Sequence, residues 1–288
     1  MRVLVLGAGG QVARAVARVM SGPHEIFVRT HAEVDIADAE SLDRTLAQIK
    51  ADWIVNGAAY TAVDLAEEEP ARAAAINDAA VGTLAAAASR ARARLLHLST
   101  DFVFDGAANR AYLPSDATNP LSVYGVTKLA GEKKARESEC AAIVLRTAWV
   151  YAAAGKNFVL TMLRLMRERE QVRVVSDQIG TPSWATGIAY AIRDLLEAEA
   201  PAGVYHWTDL GVASWYDFAV AIQDEARERG LLNRAVSIVP IATSEYPTRA
   251  RRPTFSVLDT KATRDLVATP AMHWRHNLRM MLDELRAA

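Results

Sequence analysis

The opening twenty residues constrain this chain more than any other stretch. A short apolar run, Val3–Leu6, breaks into Gly7-Ala8-Gly9-Gly10-Gln11-Val12, and the residues from Gln11 to Met20 have helical spacing. A buried strand, a glycine-rich turn and a helix, in that order, begin a parallel βαβ unit. Glycine permits the tight turn and lets backbone N–H groups approach a ligand closely. The helix N-terminus adds the positive end of its dipole, so the same turn suits a pyrophosphate. The glycines read G-x-x-G with an extra Gly9, which departs from the usual dinucleotide fingerprint, and such a turn also serves packing alone.

The rhythm continues. Strands are predicted at Glu25–Val28, Trp53–Asn56, Leu95–Leu98 and Ala142–Leu145. Between them come helices at Ser41–Lys50, with Ser41 as N-cap, at Glu67–Asn77, at Asp78–Arg92 and at Ser122–Ser138. Short continuous apolar strands alternating with helices imply an α/β fold, a Rossmann-type doubly wound parallel sheet. After residue 150 the alternation loosens. Helices are predicted at Phe158–Arg169, Trp184–Ala198, Trp215–Arg229 and from His276, and strands at Val172–Val175 and Val204–Trp207. Residues 1–150 are therefore read as a dinucleotide-binding domain, with returning segments near 172–210. Residues 151–288 are read as a smaller, partly discontinuous C-terminal α/β substrate region.

Composition excludes several classes. A formal net charge of −1 over 288 residues lacks the basic excess of a nucleic-acid binder. No segment is apolar for long enough to span a membrane, and the N-terminal apolar run breaks too early for a secretory signal, so a cytoplasmic protein is expected. The one cysteine, Cys140, can form neither an intrachain disulfide nor a thiolate metal site.

The second strand ends in Val28-Arg29-Thr30. An acid there binds the ribose 2′-hydroxyl of NAD, whereas an arginine accommodates a 2′-phosphate. Arg29 thus favours NADPH; NADH, with Arg29 as an ordinary exposed side chain, is left open. Tyr124 and Lys128 stand four residues apart, which puts both on one face of a helix. A tyrosine, with an ordinary pKa of about 10, is a poor acid–base group at neutral pH, and a neighbouring ammonium is expected to lower that value. The spacing alone recurs by chance. Leu96–Phe104, however, ends a strand in Ser99-Thr100-Asp101 and presents hydroxyls where open α/β sheets bind ligands. A glycine turn, a Tyr–Lys pair and a strand-end hydroxyl together suit hydride transfer to a carbonyl, with Tyr124 protonating its oxygen.

These segments, with Val34-Asp35-Ile36, Asn56–Asp64, Arg146–Tyr151, Asp177–Pro182 and Tyr246–Pro253, run along nearly the whole chain. Together they resemble the extended short-chain dehydrogenase/reductase family, and within it the dTDP-4-dehydrorhamnose reductases. The resemblance implies NADPH-dependent reduction of the C4 keto group of dTDP-4-dehydro-6-deoxy-L-mannose to dTDP-L-rhamnose. It implies that Tyr124 is the proton donor, Lys128 its partner and ribose ligand, and Thr100 the hydroxyl on the substrate oxygen. Gly7, Gly10, Gln11 and Val12 would hold the pyrophosphate, Asp35 and Ile36 would flank the adenine, and Ala59, Tyr60 and Thr61 would line the cofactor. Asp101, Trp149 and Arg252 would contact the nucleotide sugar, and Asn77 would support Lys128.

Three departures stand out. Phe102 replaces a tyrosine common in the family. Arg29 replaces an acid found in some members. The first helix reads Ala13-Arg14-Ala15, without the carboxylate through which some relatives bind magnesium at a dimer interface. No metal is therefore expected, and a homodimer is left open. Two other readings remain: another nucleotide-sugar reductase or epimerase, or a non-catalytic NADP-binding regulatory subunit resembling the β subunit of methionine adenosyltransferase.

Overall fold

Strands that are apolar on both faces must lie between two layers of helices. In the computed structural model, which describes residues 1–287, six of them form one parallel sheet. They are β1 (Arg2–Leu6), β2 (Glu25–Arg29), β3 (Trp53–Asn56), β4 (Arg94–Thr100), β5 (Ala142–Thr147) and β6 (Gly203–His206). Their spatial order is β2-β1-β3-β4-β5-β6. Leu4 pairs with Phe27 on one side and with Ile54 on the other. The winding therefore reverses between β1 and β3, and a doubly wound sheet binds ligands at the carboxyl end of that gap.

The longer helices are α1 (Gln11–Met20), α2 (Ala39–Ile49), α3 (Ala80–Ala91), α4 (Val123–Glu137), α5 (Phe158–Glu168), α6 (Ala185–Glu197), α7 (Trp215–Glu228) and α8 (Trp274–Ala287). On one face, Val16 and Met20 of α1 and Ile188, Ile192 and Leu195 of α6 pack against Val3, Val5 and Leu145. On the other, Leu42 and Leu46 of α2, Leu84 of α3 and Ala135 of α4 cover Leu4, Ile54 and Val144. A third cluster gathers Val159, Leu163, Phe218, Ile222, Leu278 and Leu282 from α5, α7 and α8.

The structure corrects three details of the sequence reading. Asp38, not Ser41, caps α2, accepting hydrogen bonds from the N–H groups of Glu40 and Ser41. No helix boundary falls between Asn77 and Asp78. Pro70–Ala74, a π-helical turn at Ala75–Ala79 and α3 follow one another without a break, and the widened turn absorbs the two polar residues. Of the two later strands expected near the sheet, only β6 joins it. Gln171–Val175 pairs instead with Ser237–Ile241, parallel and away from the main sheet. Among the described residues, no helix is long and apolar enough to cross a membrane.

Asp209, just beyond β6, joins the start of α6 to α8. It is 3% exposed, and its Oδ2 accepts the N–H of Trp184 at 3.2 Å. Burial pushes its pKa up to about 8, against the opposing hydrogen bonds of Asn277 and Trp184. Between its ordinary value and about 8 the native state therefore holds a proton that the unfolded chain has lost. The associated stability is fully present below the unfolded pKa and is lost as pH rises through the folded one. Thermal melts should show the wild type losing Tm between about pH 4 and 8 and levelling off above that, and Asp209→Asn should flatten that dependence. An equal slope in both proteins would remove Asp209 as its source.

Candidate active site

The turn after β1 is shaped by a close approach. Gly7 has φ +80°, and a Cβ there would meet the Ala58 nitrogen at 2.5 Å, so only glycine fits beside the chain leaving β3. Gly10 then caps α1 without any side chain, and the first turn of that helix carries no acid. Its N–H groups and dipole therefore face the crevice uncompensated, which fits a pyrophosphate. Gln11 and Val12 open the helix, and Gln11 Oε1 accepts from Asn157 Nδ2 at 2.9 Å.

Arg29 ends β2 with its Nη1 donating to the Val28 carbonyl at 2.9 Å. Glu33 accepts both the N–H and the hydroxyl of Thr30 at 2.8 Å. Asp35 Oδ1 accepts the Ala37 N–H at 2.9 Å, and Ile36 is buried beside it. Ala59, Tyr60 and Thr61 follow β3. The Tyr60 N–H donates to Asn77 Oδ1 (2.8 Å), Asn77 Nδ2 donates to the Tyr60 carbonyl (3.1 Å), and the Tyr60 hydroxyl turns away to Glu69 (2.8 Å). Asn77 also donates to Thr127 at 3.2 Å. It thus holds the backbone of the Ala59–Thr61 loop against α4 and makes no hydrogen bond to Lys128. Lys128 Nζ donates instead to the Leu98 carbonyl at 2.7 Å and lies 3.3 Å from His97 Nε2.

Tyr124 stands one turn before Lys128 on α4, whose N-cap is Ser122. Phe102 packs edge-on against its ring, centroids 5.6 Å apart. Burial pushes the Tyr124 phenol up to about 12; the Thr100 hydroxyl opposes this and the Asp101 charge adds to it. The lowering expected from Lys128 is not found, because desolvation dominates and the Lys128 amine is turned to Leu98 and His97. Burial holds Lys128 down to about 8, with the Glu132 charge opposing. Thr100 Oγ1 accepts the Phe102 N–H (3.2 Å) and approaches Asp101 Oδ1 at 3.1 Å, so it caps the 3₁₀ turn Asp101–Val103 as well as facing the phenol. Asp101 is buried, its Oδ2 makes no well-formed hydrogen bond among the described residues, and burial raises it to about 6, with the Ser256 and Thr100 hydroxyls opposing.

A cleft of about 730 Å³ is walled by Phe158, Met162, Gln178, Trp215, Tyr246 and Arg252. Trp149, in the left-handed backbone region at φ +46°, stacks its indole on Trp215 of that wall with centroids 3.5 Å apart. Gly180 lies under that indole; a Cβ there would come within 2.6 Å of it. Arg252 is engaged by Asp64, which accepts at 3.0 and 2.7 Å and also takes the Ala250 N–H at 3.1 Å. Arg249 pairs with Glu68. The basic loop near the chain end is thereby strapped to the segment that follows the Ala59–Thr61 loop. Sequence reasoning assigned no role to Asp64, Asn56, His97 or Trp215. Asp64 ends the Asn56–Asp64 segment, but its partner is 188 residues away. Among the described residues no group of three or more His, Cys, Asp or Glu could hold a metal ion.

This geometry has close counterparts. The family model described as the RmlD substrate binding domain matches residues 1–287. The dTDP-4-dehydrorhamnose reductase of Burkholderia thailandensis is 42% identical, covering 99% of both chains. That of Escherichia coli K12 is 40% identical over 99% of this chain and 98% of its own. The crystal structure of dTDP-4-dehydrorhamnose reductase from Bacillus anthracis in complex with NADP superposes with a TM-score of 0.92 at 32% identity, covering 98% of this chain and 99% of that one. A sheet that reverses beside an uncapped helix N-terminus, a Tyr–Lys pair on α4 and end-to-end similarity point the same way: the chain belongs to the dTDP-4-dehydrorhamnose reductase family.

Proposed function

We propose that the protein reduces the C4 keto group of dTDP-4-dehydro-6-deoxy-L-mannose to give dTDP-L-rhamnose, using NADPH. The observation that carries this is the convergence of Thr100, Tyr124 and Lys128 at the carboxyl edge of β4, beside the crevice of a chain similar end to end to reductases of that name. The bound reduced nicotinamide supplies the hydride. Tyr124, protonated at neutral pH with its phenol at about 12, then gives its proton to the carbonyl oxygen as the C4 alcohol forms. Thr100 hydrogen-bonds the same oxygen and fixes its distance from the phenol. Lys128 binds the nicotinamide ribose and offsets the charge left on Tyr124.

For the cofactor, Gly7, Gly10, Gln11 and Val12 hold the pyrophosphate on the dipole of α1, with Asp35 and Ile36 flanking the adenine. Ala59, Tyr60 and Thr61 line the site through backbone atoms that Asn77 holds in place. Arg29 faces the 2′-phosphate. For the substrate, the unpaired Asp101 oxygen takes a sugar hydroxyl and Trp149 covers the sugar ring. Arg252 leaves part of its contact with Asp64 to take the diphosphate, where a guanidinium fork suits phosphate oxygens.

The test is loss of reduced-nicotinamide absorbance with a panel of 4-keto nucleotide sugars, with product analysis. Net oxidation of NADPH with the dTDP-linked 4-keto sugar, and a kcat/KM preference over NADH, are expected. Product formed without net oxidation would indicate an epimerase, and tight NADP binding without turnover a regulatory subunit. Arg252→Ala should raise the substrate KM by about tenfold or more, the value of one charge-assisted hydrogen bond of roughly 1.5–3 kcal/mol, while the NADPH KM stays within about twofold. Equal effects on both would remove Arg252 from the substrate site.

A further inference from the structure

Behind Lys128 lies a polar pair that the reaction above does not use. Asn56, ending β3, and His97, on β4, are both fully buried, with Asn56 Nδ2 3.0 Å from His97 Nδ1. His97 Nε2 lies 3.3 Å from Lys128 Nζ. Matching donors to acceptors fixes the protons. The Ala58 N–H donates to Asn56 Oδ1 at 3.1 Å, which commits the amide oxygen and turns the NH2 group to the ring. A neutral imidazole has one donor nitrogen and one acceptor nitrogen. Nδ1 must then be the acceptor, so the ring hydrogen sits on Nε2 and points at Lys128. A flipped Asn56 would set its NH2 against the Ala58 N–H and leave that donor unmatched, at a cost of about 1–3 kcal/mol in a buried site.

We infer that Asn56 and His97 are positioning residues for Lys128: Asn56 holds the imidazole as its Nε2–H tautomer, and that N–H meets the lysine nitrogen as a donor, favouring the neutral amine over the ammonium. The remaining hydrogens of Nζ still reach the Leu98 carbonyl at 2.7 Å. Electrostatics agree in direction. Burial, then the Lys128 charge, hold His97 well below its ordinary value, so the ring is neutral. Lys128 itself is held down to about 8. The other ionisable groups around Lys128 are Tyr124 and Glu132 on its own helix. Asp101 acts on Tyr124, and Glu132 is matched by Arg146 of β5 at 2.6 Å. From the sheet side the ionisable contact is His97.

The test begins with the wild-type full chain and needs neither substrate nor activity, so it is separate from the reductase reading. A long-range proton–nitrogen correlation of labelled wild-type protein, with the His97 ring linked to its own backbone resonances through 13C couplings, should show a neutral ring protonated on Nε2 from pH 6 to 9. A ring protonated on Nδ1 would overturn the inference. In protein labelled with 13C-lysine, Lys128 should titrate about one pH unit higher in His97→Gln, where the amide oxygen can accept from the ammonium; a tenfold gain in proton affinity corresponds to that shift. An unmoved or lowered Lys128 midpoint would also overturn it. Should the variant not fold, the tautomer measurement on the wild type decides alone.

Discussion

Tyr124→Phe is expected to lower kcat by roughly 10²–10⁴-fold, the usual contribution of a positioned general acid, while the NADPH dissociation constant stays within a few-fold of wild type. The phenyl ring keeps the edge-on contact with Phe102 at 5.6 Å and the place on α4, so only the hydroxyl is lost. The variant also separates proton donation from packing, because Tyr124 is half-buried and its ring borders the cluster of Tyr60, Ala66 and Ala73. Stopped-flow measurement of the hydride step in both proteins checks it. Full activity in Tyr124→Phe would sink the mechanism, since no other hydroxyl on α4 faces Thr100.

A second large effect is expected where no substrate reaches. Glu132 is 1% exposed and Arg146 is 3% exposed. Arg146 grips the carboxylate with two bonds of 2.9 and 2.6 Å, and Ser99 adds a third at 2.5 Å. The guanidinium also lies over the Phe104 ring at 5.1 Å. Removing one partner of such a pair strands the other charge in the core, so Arg146→Met should cost about 3–5 kcal/mol in urea unfolding. The double variant Glu132→Leu with Arg146→Met should recover much of that loss, because two apolar side chains leave no buried charge. A single variant within 1 kcal/mol of wild type would mean that water reaches the site.

The fold was legible wherever a local signal decided it. Apolar runs of four or five residues fixed the strands of the sheet, and the turn at Gly7 placed the crevice. Signals that compete locally were misread: Asp38 and Ser41 are both good caps three residues apart, and only the backbone shows that Asp38 wins. Asn77 and Asp78 look like a helix boundary because two polar residues interrupt an apolar pattern, yet a π turn carries the chain through them. The two-residue strands around residues 150, 179, 183 and 213 are too short to have any period.

The candidate site divides in the same way. Helical spacing put Tyr124 and Lys128 on one face, and the strand end put Thr100 near them. Spacing carries no information on desolvation, so the direction of the Tyr124 shift was missed. Nor could it reveal that Arg252 meets Asp64 or that Lys128 meets His97, since those contacts join distant parts of the chain.

The place of β6 has a consequence for synthesis on the ribosome. When residue 150 has been made, β5 is still a bare sheet edge, and the apolar side of α1 still lacks α6. The sheet is closed only by a strand at Gly203–His206, added after the cleft-lining helix α5. A nascent chain must therefore shield Ile143, Leu145 and Val16 for some fifty residues of further translation. An unpaired edge and uncovered apolar surface are what chaperones recognise and what aggregation recruits.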